Sequence, residues 1–364
     1  MKKKILIVLG LLLFLTLVNK NKTYPPDIPP NTNEVTYAEI DVIGENLING
    51  YADPTIEYGD SSIGWLAYSY MNFSDKKRKY VETHLAKSTD FGNTWTYVQQ
   101  LNKSIDGVLG NESGSWKNET SSLVYSSGQW KIFYGTWFTP GDEKLFMNSS
   151  IRFKTASDPS GTWSEEVCVI GPAENGCKQT ISSLDSSLAD TKLINELGTI
   201  AVGSTLYMSA DVSPSLSGLG NAKEIKARKI ILLSSTDGGY SWKYVNDLTT
   251  FADANKLGYL ILTASSLVEQ NGQYCLLTTP TGAISKKDKN YDGFYIFEFE
   301  NIRTGTLKRN SGDLLVVKRF GEEISGGGLG DYDEKNIGGI VGSNFYADGF
   351  KIRSKLFSTG QKIY

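Results

Sequence analysis

The sequence lacks three features that would indicate other kinds of protein. Long apolar stretches with helical spacing are missing, which argues against a mostly helical fold. No long basic run follows residue 22 and the net charge is −3, so the chain offers no electrostatic footprint for a nucleic acid. Its three cysteines do not have the spacing of a zinc site, and we therefore expect no metal and no cofactor.

The N-terminus has the pattern of an export signal. Three lysines at residues 2–4 precede an apolar run at residues 5–18, which is shorter than a comfortable membrane span. No Ala-x-Ala cleavage motif follows, so membrane anchoring through this run is the alternative to secretion. We expect residues 1–22 to be the signal or anchor, residues 23–33 a proline-rich linker, and residues 34–364 the folded domain of a secreted or extracytoplasmic monomer.

The cysteines are few for an exported protein. Cys168 and Cys177 stand nine residues apart and could close a small loop, but this spacing does not decide whether they pair. Cys275 lies within an apolar run and is expected to be a strand residue.

One short turn sequence occurs twice, at residues 88–95 and 235–242, and a degenerate copy lies around Asp158 and Trp163. In each copy the tryptophan follows the aspartate by five residues. The serine and the aspartate of such a turn can bond backbone N–H groups, and its glycine permits a positive φ. Because a strand-like run precedes every copy, the turn is expected to join two strands of a recurring antiparallel unit.

These turns resemble the Asp-box motif of β-propellers, a group that includes the sialidases. The tryptophans at 95, 163 and 242 are 68 and 79 residues apart, which implies five blades, with six as the alternative. The expected fold is therefore an all-β propeller with a central mouth for ligands. The resemblance places the turns on the outer rim, so Asp90, Asp158 and Asp237 are expected to be structural. Residues 33–40 are expected to close the ring as a strand of the first blade.

Three acidic residues stand where the inner strands of successive blades are expected to begin, namely Asp53, Glu119 and Asp185. Inner strands start at the mouth, so these carboxyl groups should converge although they are distant in sequence. Hydrolysis of a glycosidic bond needs one carboxyl group to protonate the leaving oxygen and another to activate water or attack the sugar. The alternative is a conformational role for the Asp-Pro step at Asp53 and a solvated turn at Glu119.

The segment Ala52-Asp53-Pro54, followed by a hairpin with an aromatic return strand, also resembles the five-bladed glycoside hydrolases of the arabinanase and xylosidase group. This resemblance implies a general base at Asp53 and a residue that adjusts a neighbouring pKa at Asp185. That group carries its general acid in a Glu-Gly-Pro segment at the start of a later blade, and the fourth blade here begins instead with residues 264–266, Ala-Ser-Ser. Glu119 would then have to be the acid.

Four further residues are candidates for substrate binding. Tyr51, Trp116 and Trp137 could stack on sugar faces, and packing between blades is the alternative for each. Arg152 is the arginine that we expect at the mouth, although the three-arginine site of sialidases includes an Arg-Ile-Pro motif that this sequence lacks. We therefore expect an exported carbohydrate-active propeller that is a glycoside hydrolase. The alternatives are a non-catalytic propeller that binds a glycan or a protein, and a sialidase.

Overall fold

The structure is a computed structural model that describes residues 37–46, 49–73, 79–141, 145–216, 220–283, 291–321, 329–348 and 351–364. The expected signal or anchor and the linker, residues 1–33, lie outside the described residues. Strands dominate the described ranges, and they occur in successive antiparallel units.

The first unit is a sheet of four consecutive strands. Two short strands precede it, β1 (Ala38–Ile40) and β2 (Val42–Ile43). The strands of the unit are β3 (Gly50–Glu57), β4 (Gly64–Asn72), β5 (Tyr80–Ser88) and β6 (Trp95–Asn102). Each pairs antiparallel with the next, and β2 adds to β6 in parallel.

The second and third units repeat this order. The second unit is formed by β7 (Ile105–Leu109), β8 (Glu112–Ser126), β9 (Gln129–Pro140), β10 (Met147–Ala156) and β11 (Val167–Ile170). The third unit is formed by β12 (Leu193–Val202), β13 (Thr205–Ser213), β14 (Lys229–Ser235) and β15 (Lys243–Thr250). The innermost strands are β8 and β12, which correspond to β3 of the first unit.

The fourth unit and a final hairpin complete the chain. The fourth unit contains β16 (Tyr259–Gln270), β17 (Gln273–Ala283), β18 (Phe294–Asn301), β19 (Thr306–Leu307), β20 (Arg309–Asn310), β21 (Asp313–Leu314) and β22 (Val316–Phe320), with β20 and β21 as a separate small hairpin. The final hairpin is β23 (Val341–Asp348) with β24 (Lys351–Ser358).

Closure of the ring involves strands β1 and β24. Strand β1 pairs antiparallel with β24, which also pairs in parallel with β3 and so joins β1 to the sheet of the first unit. The final hairpin and β1 together form a fifth unit. A bridge between Asp331 and Val341 adds an inner segment to this unit. Of the predicted closing strand, residues 33–36 lie outside the described residues, and β1 joins the sheet of the first unit only through β24. Strand β1 lies beside β24, and this antiparallel pairing covers an edge that would otherwise be open.

The helices are short and lie between strands. They are α1 (Ile181–Leu184), α2 (Ala222–Ala227) and α3 (Phe251–Lys256), with 3-10 turns at Ala173–Asn175, Ser186–Leu188 and Ile302–Thr304. No helix within the described ranges is long and apolar enough to cross a membrane.

The repeated turns have matching hydrogen bonds. In the first, the Ser88 hydroxyl donates to Asp90 at 2.8 Å and accepts from the N–H of Gly92 at 2.8 Å. Asp90 also accepts from the N–H of Thr94 at 2.9 Å. The turn at residues 235–242 repeats each of these bonds with its own serine, aspartate, glycine and second serine. The bonds explain why this sequence recurs, while membership in the Asp-box group stays a prediction.

Hydrophobic clusters fill the space between neighbouring units. Aromatic contacts mark three of these boundaries, at Trp65 with Trp130, Phe133 with Trp242, and Phe294 with Phe357. Further clusters join the third unit to the fourth and the fifth unit to the first. Each unit therefore packs against two neighbours around a ring, which is the arrangement of a β-propeller. The count of five blades stays a prediction that these contacts favour.

A cavity of about 280 Å³ lies on the axis of this ring, because stretches from all five units line it. The lining stretches include residues 56–57, 123–125, 199–201, 267–269 and 331–335. The inner strands thus surround one central space, as the propeller fold requires.

Candidate active site

Each of the first four inner strands contains a β-bulge at the same place. The register shifts lie between residues 52 and 55, 119 and 122, 195 and 198, and 263 and 266. A non-glycine residue with positive φ occupies every bulge, and these residues are Asp53, Thr120, Glu196 and Ala264, with φ between 50° and 53°. Such strained backbone is uncommon and tends to occur at functional sites.

The N–H group of each bulge residue is held by a side chain of the preceding unit. Asp53 donates to the Ser343 hydroxyl at 2.8 Å, and Thr120 donates to the Ser69 hydroxyl at 3.1 Å. The N–H of Glu196 donates to the Thr120 hydroxyl at 3.3 Å, and that of Ala264 donates to the Glu196 carboxylate at 2.9 Å. These bonds satisfy donors that the bulges remove from the sheet, and they tie the units together at the mouth.

Asp53 is a buried carboxyl group at this level of the first unit, with 6% of its surface exposed. It accepts hydrogen bonds from the N–H of Leu329 at 3.2 Å and from the Ser69 hydroxyl. Burial raises the pKa of Asp53 to about 6, and the two hydrogen bonds oppose this rise. Asp53 lies on the inner strand β3, three residues before the cavity lining begins at Ile56, and its catalytic role stays a prediction.

Glu119 immediately precedes the second bulge and is partly buried. Its partner across the strand pair is Gly135, so no opposing side chain fills the space beside it. Within the described ranges no group donates a hydrogen bond to its carboxylate. Burial, followed by the negative charge of Asp53, raises the pKa of Glu119 to about 8, while Lys117 lowers it and Glu196 adds to the rise. The charge of Asp53 thus acts on Glu119, and their shared role in one site stays a prediction.

Glu196 is the third carboxyl group of the mouth, and sequence reasoning missed it. Its Oε2 atom accepts from the Ala264 N–H at 2.9 Å and from the Thr263 hydroxyl, and the Arg228 guanidinium lies 3.9 Å away. Burial and then the charge of Asp211 raise the pKa of Glu196 to about 7, against the effect of Arg228. The signal was present, because an acidic residue here precedes an apolar strand, a Gly-Ser turn and a tyrosine-containing return strand.

Tyr291 stands just before β18 and joins the same group of residues. It is partly buried, and its pKa lies well above its usual value because of burial and the charges of Glu196, Asp53 and Glu119. The charges of three carboxyl groups from three units therefore act on a single tyrosine side chain. Sequence reasoning missed Tyr291 too, since it lies in a loop and not in an inner strand.

Asp185 lies elsewhere, and its expected position is wrong. The third inner strand is β12, whereas residues 181–188 form α1 and a 3-10 turn. Asp185 caps this turn by accepting from the N–H of Ser187 at 2.8 Å, and that bond lowers its pKa. Glu196 therefore takes the place in the third unit that the sequence reasoning gave to Asp185.

The binding candidates are distributed differently from the prediction. Tyr51 is buried against Tyr68, with ring centroids 5.2 Å apart, in the cluster between the fifth and first units. Trp137 is 2% exposed and packs on Phe146. Neither ring has a face free for a sugar, so the packing alternative is correct for both.

Trp116 and Arg152 differ from these two buried rings and from each other in their surroundings. Trp116 is partly buried with its edge against Phe138, and its role in stacking stays a prediction. Arg152 lies on β10, the third strand from the axis, where it forms an ion pair with Glu166. The expected mouth position of Arg152 is wrong, because β10 lies two strands away from β8 and the guanidinium pairs with Glu166, which precedes β11.

The axial cavity is distinct from this carboxyl site. In each of the first four units its lining begins three residues after the bulge residue, for example Ile56 after Asp53 and Thr199 after Glu196. Three residues of strand correspond to about 10 Å. The bulge carboxyl groups therefore lie towards the mouth and the cavity lies deeper. Across the described ranges no group of three or more histidine, cysteine, aspartate or glutamate side chains is arranged to hold a metal ion.

Comparisons with known proteins support the fold. No family model matches the chain. A sialidase from Clostridium perfringens is 24% identical over 176 residues, covering 46% of this chain and 41% of the sialidase. This chain thus spans about two fifths of the length of that curated relative.

Solved structures agree over most of the chain. A family 32 β-fructofuranosidase from Bombyx mori has a TM-score of 0.54 at 13% identity, covering 88% of this chain and 62% of that one. A family 117 glycoside hydrolase from Zobellia galactanivorans has a TM-score of 0.52 at 11% identity, covering 89% and 90%. At such identities the likeness concerns the fold alone, and it confirms the β-propeller class.

Proposed function

We propose that this protein is a glycoside hydrolase whose reaction takes place at the mouth of the propeller. The observation that carries the proposal is the position of three carboxyl groups, Asp53, Glu119 and Glu196, at the matching bulges of the inner strands of three successive units. Each has a raised pKa, at about 6, 8 and 7 respectively. Buried carboxyl groups with separated proton affinities are what acid–base hydrolysis of a glycosidic bond requires.

The roles follow from the proton affinities. Asp53 has the lowest pKa and accepts two hydrogen bonds that favour its ionised form, so it is the base or the nucleophile. Glu119 has the highest pKa and holds its proton at neutral pH, so it donates this proton to the leaving oxygen. Glu196 helps to keep the pKa values of Asp53 and Glu119 different, because its negative charge raises the pKa of Glu119.

The similar structures support the proposal at the level of the fold. The Bombyx mori and Zobellia galactanivorans proteins are glycoside hydrolases with the same fold, and many functions occur on one fold. The mouth residues of this chain therefore carry the argument. Export, anchoring through residues 5–18 and the monomeric state stay predictions, as does the boundary of the folded domain.

The test is a screen of aryl glycosides with the wild type and matched variants. Asp53→Asn and Glu119→Gln are expected to lower turnover by about 100-fold or more, since each removes one half of the acid–base pair. The loss in Glu119→Gln should be smaller for substrates with good leaving groups, because these need less protonation. Asp237→Asn, far from the mouth, should retain turnover. Unchanged turnover in both mouth variants would contradict the assignment.

Sialoside hydrolysis is the second candidate function. The match to the Clostridium perfringens sialidase favours it. Against it, the buried Arg228 is engaged by Asp211, through hydrogen bonds of 3.0 Å from its Nε to both carboxylate oxygens. A fluorogenic sialoside belongs in the same screen, and its turnover would select this candidate. Glycan binding without turnover of any glycoside would select the non-catalytic alternative.

A further inference from the structure

Thr263 joins two carboxyl groups behind the mouth. It lies on β16, and its hydroxyl contacts the Oε2 atom of Glu196 and the Oδ2 atom of Asp211. A terminal nitrogen of Arg228 donates to the same hydroxyl oxygen at 3.2 Å. Glu196, Asp211 and Thr263 come from three different strands, and all are at least largely buried.

When both carboxyl groups are ionised, this cluster has too few donor protons for their oxygen atoms. A threonine hydroxyl has one proton, so Thr263 can donate to only one of the two acceptors at a time. Arg228 supplies one positive charge, and it is placed on Asp211 by an ion pair and by two 3.0 Å bonds from Nε. Glu196 lies 3.9 Å from the same guanidinium, so the electrostatic attraction between them is weaker. The cluster can therefore bind one additional proton. Glu196 is the group that binds it, because its carboxylate is farther from the Arg228 guanidinium than that of Asp211.

We propose that Asp211, Thr263 and Arg228 are positioning residues that set the charge of Glu196 and thereby control when Glu119 holds its proton. This inference rests on the catalytic role proposed for Glu119. The charged and titratable groups that act on Glu196 come from every side. They are Asp211 on β13, Arg228 before β14, Tyr291 before β18 and Glu119 on β8.

The cluster makes two substitutions act in opposite directions. Asp211→Asn removes a negative charge beside Glu196, so the midpoint for ionisation of Glu196 should fall by about one pH unit or more. Thr263→Val removes a donor that favours the ionised form, so the midpoint should rise by roughly half to one pH unit. A residue with a merely structural role would not produce a pair of opposite shifts.

The experiment is a carbon-13 NMR titration of the full chain with labelled glutamate, in which the Glu196→Gln variant identifies the resonance of Glu196. Opposite shifts in Asp211→Asn and Thr263→Val are expected, with Thr263→Ser close to the wild type because it keeps the hydroxyl. Shifts in the same direction, or no shift, would overturn the inference. If Asp211→Asn does not fold, the other two variants test the inference: the ionisation midpoint of Glu196 should rise in Thr263→Val and return to the wild-type value in Thr263→Ser.

A kinetic readout links the cluster to the mouth. Glu196→Gln and Thr263→Val should both move the alkaline limb of kcat/KM to lower pH, because Glu119 then faces a neutral Glu196 over a wider range. The NMR titration needs no substrate, so it separates the two proposals. Opposite NMR shifts without any hydrolysis would contradict the proposed function but support the effect of the cluster on Glu196. Hydrolysis whose alkaline limb does not move in these variants would refute control of Glu119 by the cluster.

Discussion

The carboxyl groups of Asp53 and Glu119 act on each other across the boundary between the first two units, where the negative charge of Asp53 raises the pKa of Glu119. Ser69 ties the two positions together mechanically. Its hydroxyl donates to Asp53 and accepts from the N–H of Thr120, the residue that follows Glu119. One carboxyl group therefore cannot move or ionise without consequences for the other, and the two should titrate as a pair.

The first prediction concerns the pH profile of kcat/KM. Activity should fall below about pH 6 as Asp53 becomes protonated, and above about pH 8 as Glu119 loses its proton, since the pKa values are about 6 and about 8. The profile should be bell-shaped with its maximum near neutrality. Glu119→Gln should abolish the alkaline limb. A profile that is flat from pH 5 to pH 9 would contradict the roles given to the two residues.

The second prediction separates the mouth from the rim. Asp237 accepts bonds from the N–H of Ser241 at 3.0 Å and from the Ser235 hydroxyl at 2.8 Å. A slight desolvation raises the pKa of Asp237, but a bond of 2.6 Å from the Ser241 hydroxyl, together with the two bonds above, lowers it to about 2. Asp237→Asn should therefore reduce the free energy of unfolding by about 1–2 kcal/mol and leave kcat unchanged.

Asp53→Asn is the matched comparison for this rim variant. It should lower kcat by about 100-fold or more without a loss of stability, because it removes a buried charge whose ionisation burial disfavours. Chemical denaturation and initial rates of the two variants check both statements. An exchange of the two phenotypes would show that the site is not at the mouth.

The third prediction concerns stability against pH at the deeper end of the channel. Burial, followed by the charge of Asp333, raises the pKa of Glu57 to about 8, compared with about 4.3 in an unfolded chain. Between these values the folded chain binds a proton that the unfolded chain does not. The contribution of Glu57 to the free energy of unfolding should be greatest below about pH 4 and be lost as the pH rises towards 8.

Glu57→Gln should reduce this loss, because an amide does not ionise while its oxygen can still accept the 2.8 Å bond from the Gly59 N–H. The variant should exceed the wild type at pH 8 by on the order of 2 kcal/mol in the free energy of unfolding. Glu112→Gln, at an exposed position of β8, is the control and should follow the wild type. Parallel curves for wild type and Glu57→Gln would contradict the prediction.

The fourth prediction concerns the cysteines. The structure pairs Cys168 with Cys177 in a disulfide, and Cys275 is a buried free thiol whose pKa burial raises to about 11. Thiol titration of the unreduced chain in denaturant should give one reactive group per molecule, and reduction should give all three. Replacing Cys168 and Cys177 with serine should cost about 2–3 kcal/mol of stability, as expected for a loop this short. Three reactive thiols before reduction would contradict the pairing.

Much of the fold followed from local sequence. The strand runs, the repeated turns and the aromatic return strands predicted an all-β propeller, because each unit repeats the same short-range chemistry. The turn at residues 88–95 closes its hydrogen bonds within four residues, so its sequence suffices to specify it. Asp53 was also found from sequence, since an acidic residue before proline and an apolar strand marks the start of the first unit.

The third unit is where local reasoning failed. Asp185 was expected at the start of an inner strand, but residues 181–188 form short helical turns, and Asp185 accepts a hydrogen bond from Ser187, two residues away. The acidic residue of the third inner strand is Glu196, whose importance depends on neighbours that no local pattern indicates. Thr263 is 67 residues away along the chain and comes from the next unit.

By itself the sequence determined the class of fold, the repeated turns and the placement of Asp53 and Glu119 on inner strands, because these depend on contacts within a strand, a turn or one repeat. Only the tertiary structure decided the third carboxyl group, the burial of Tyr51 and Trp137, the outward position of Arg152 and the pairing of β1 with β24. Those features depend on which units become neighbours when the ring closes. Burial and charge then change proton affinities in ways that residue identity alone does not specify.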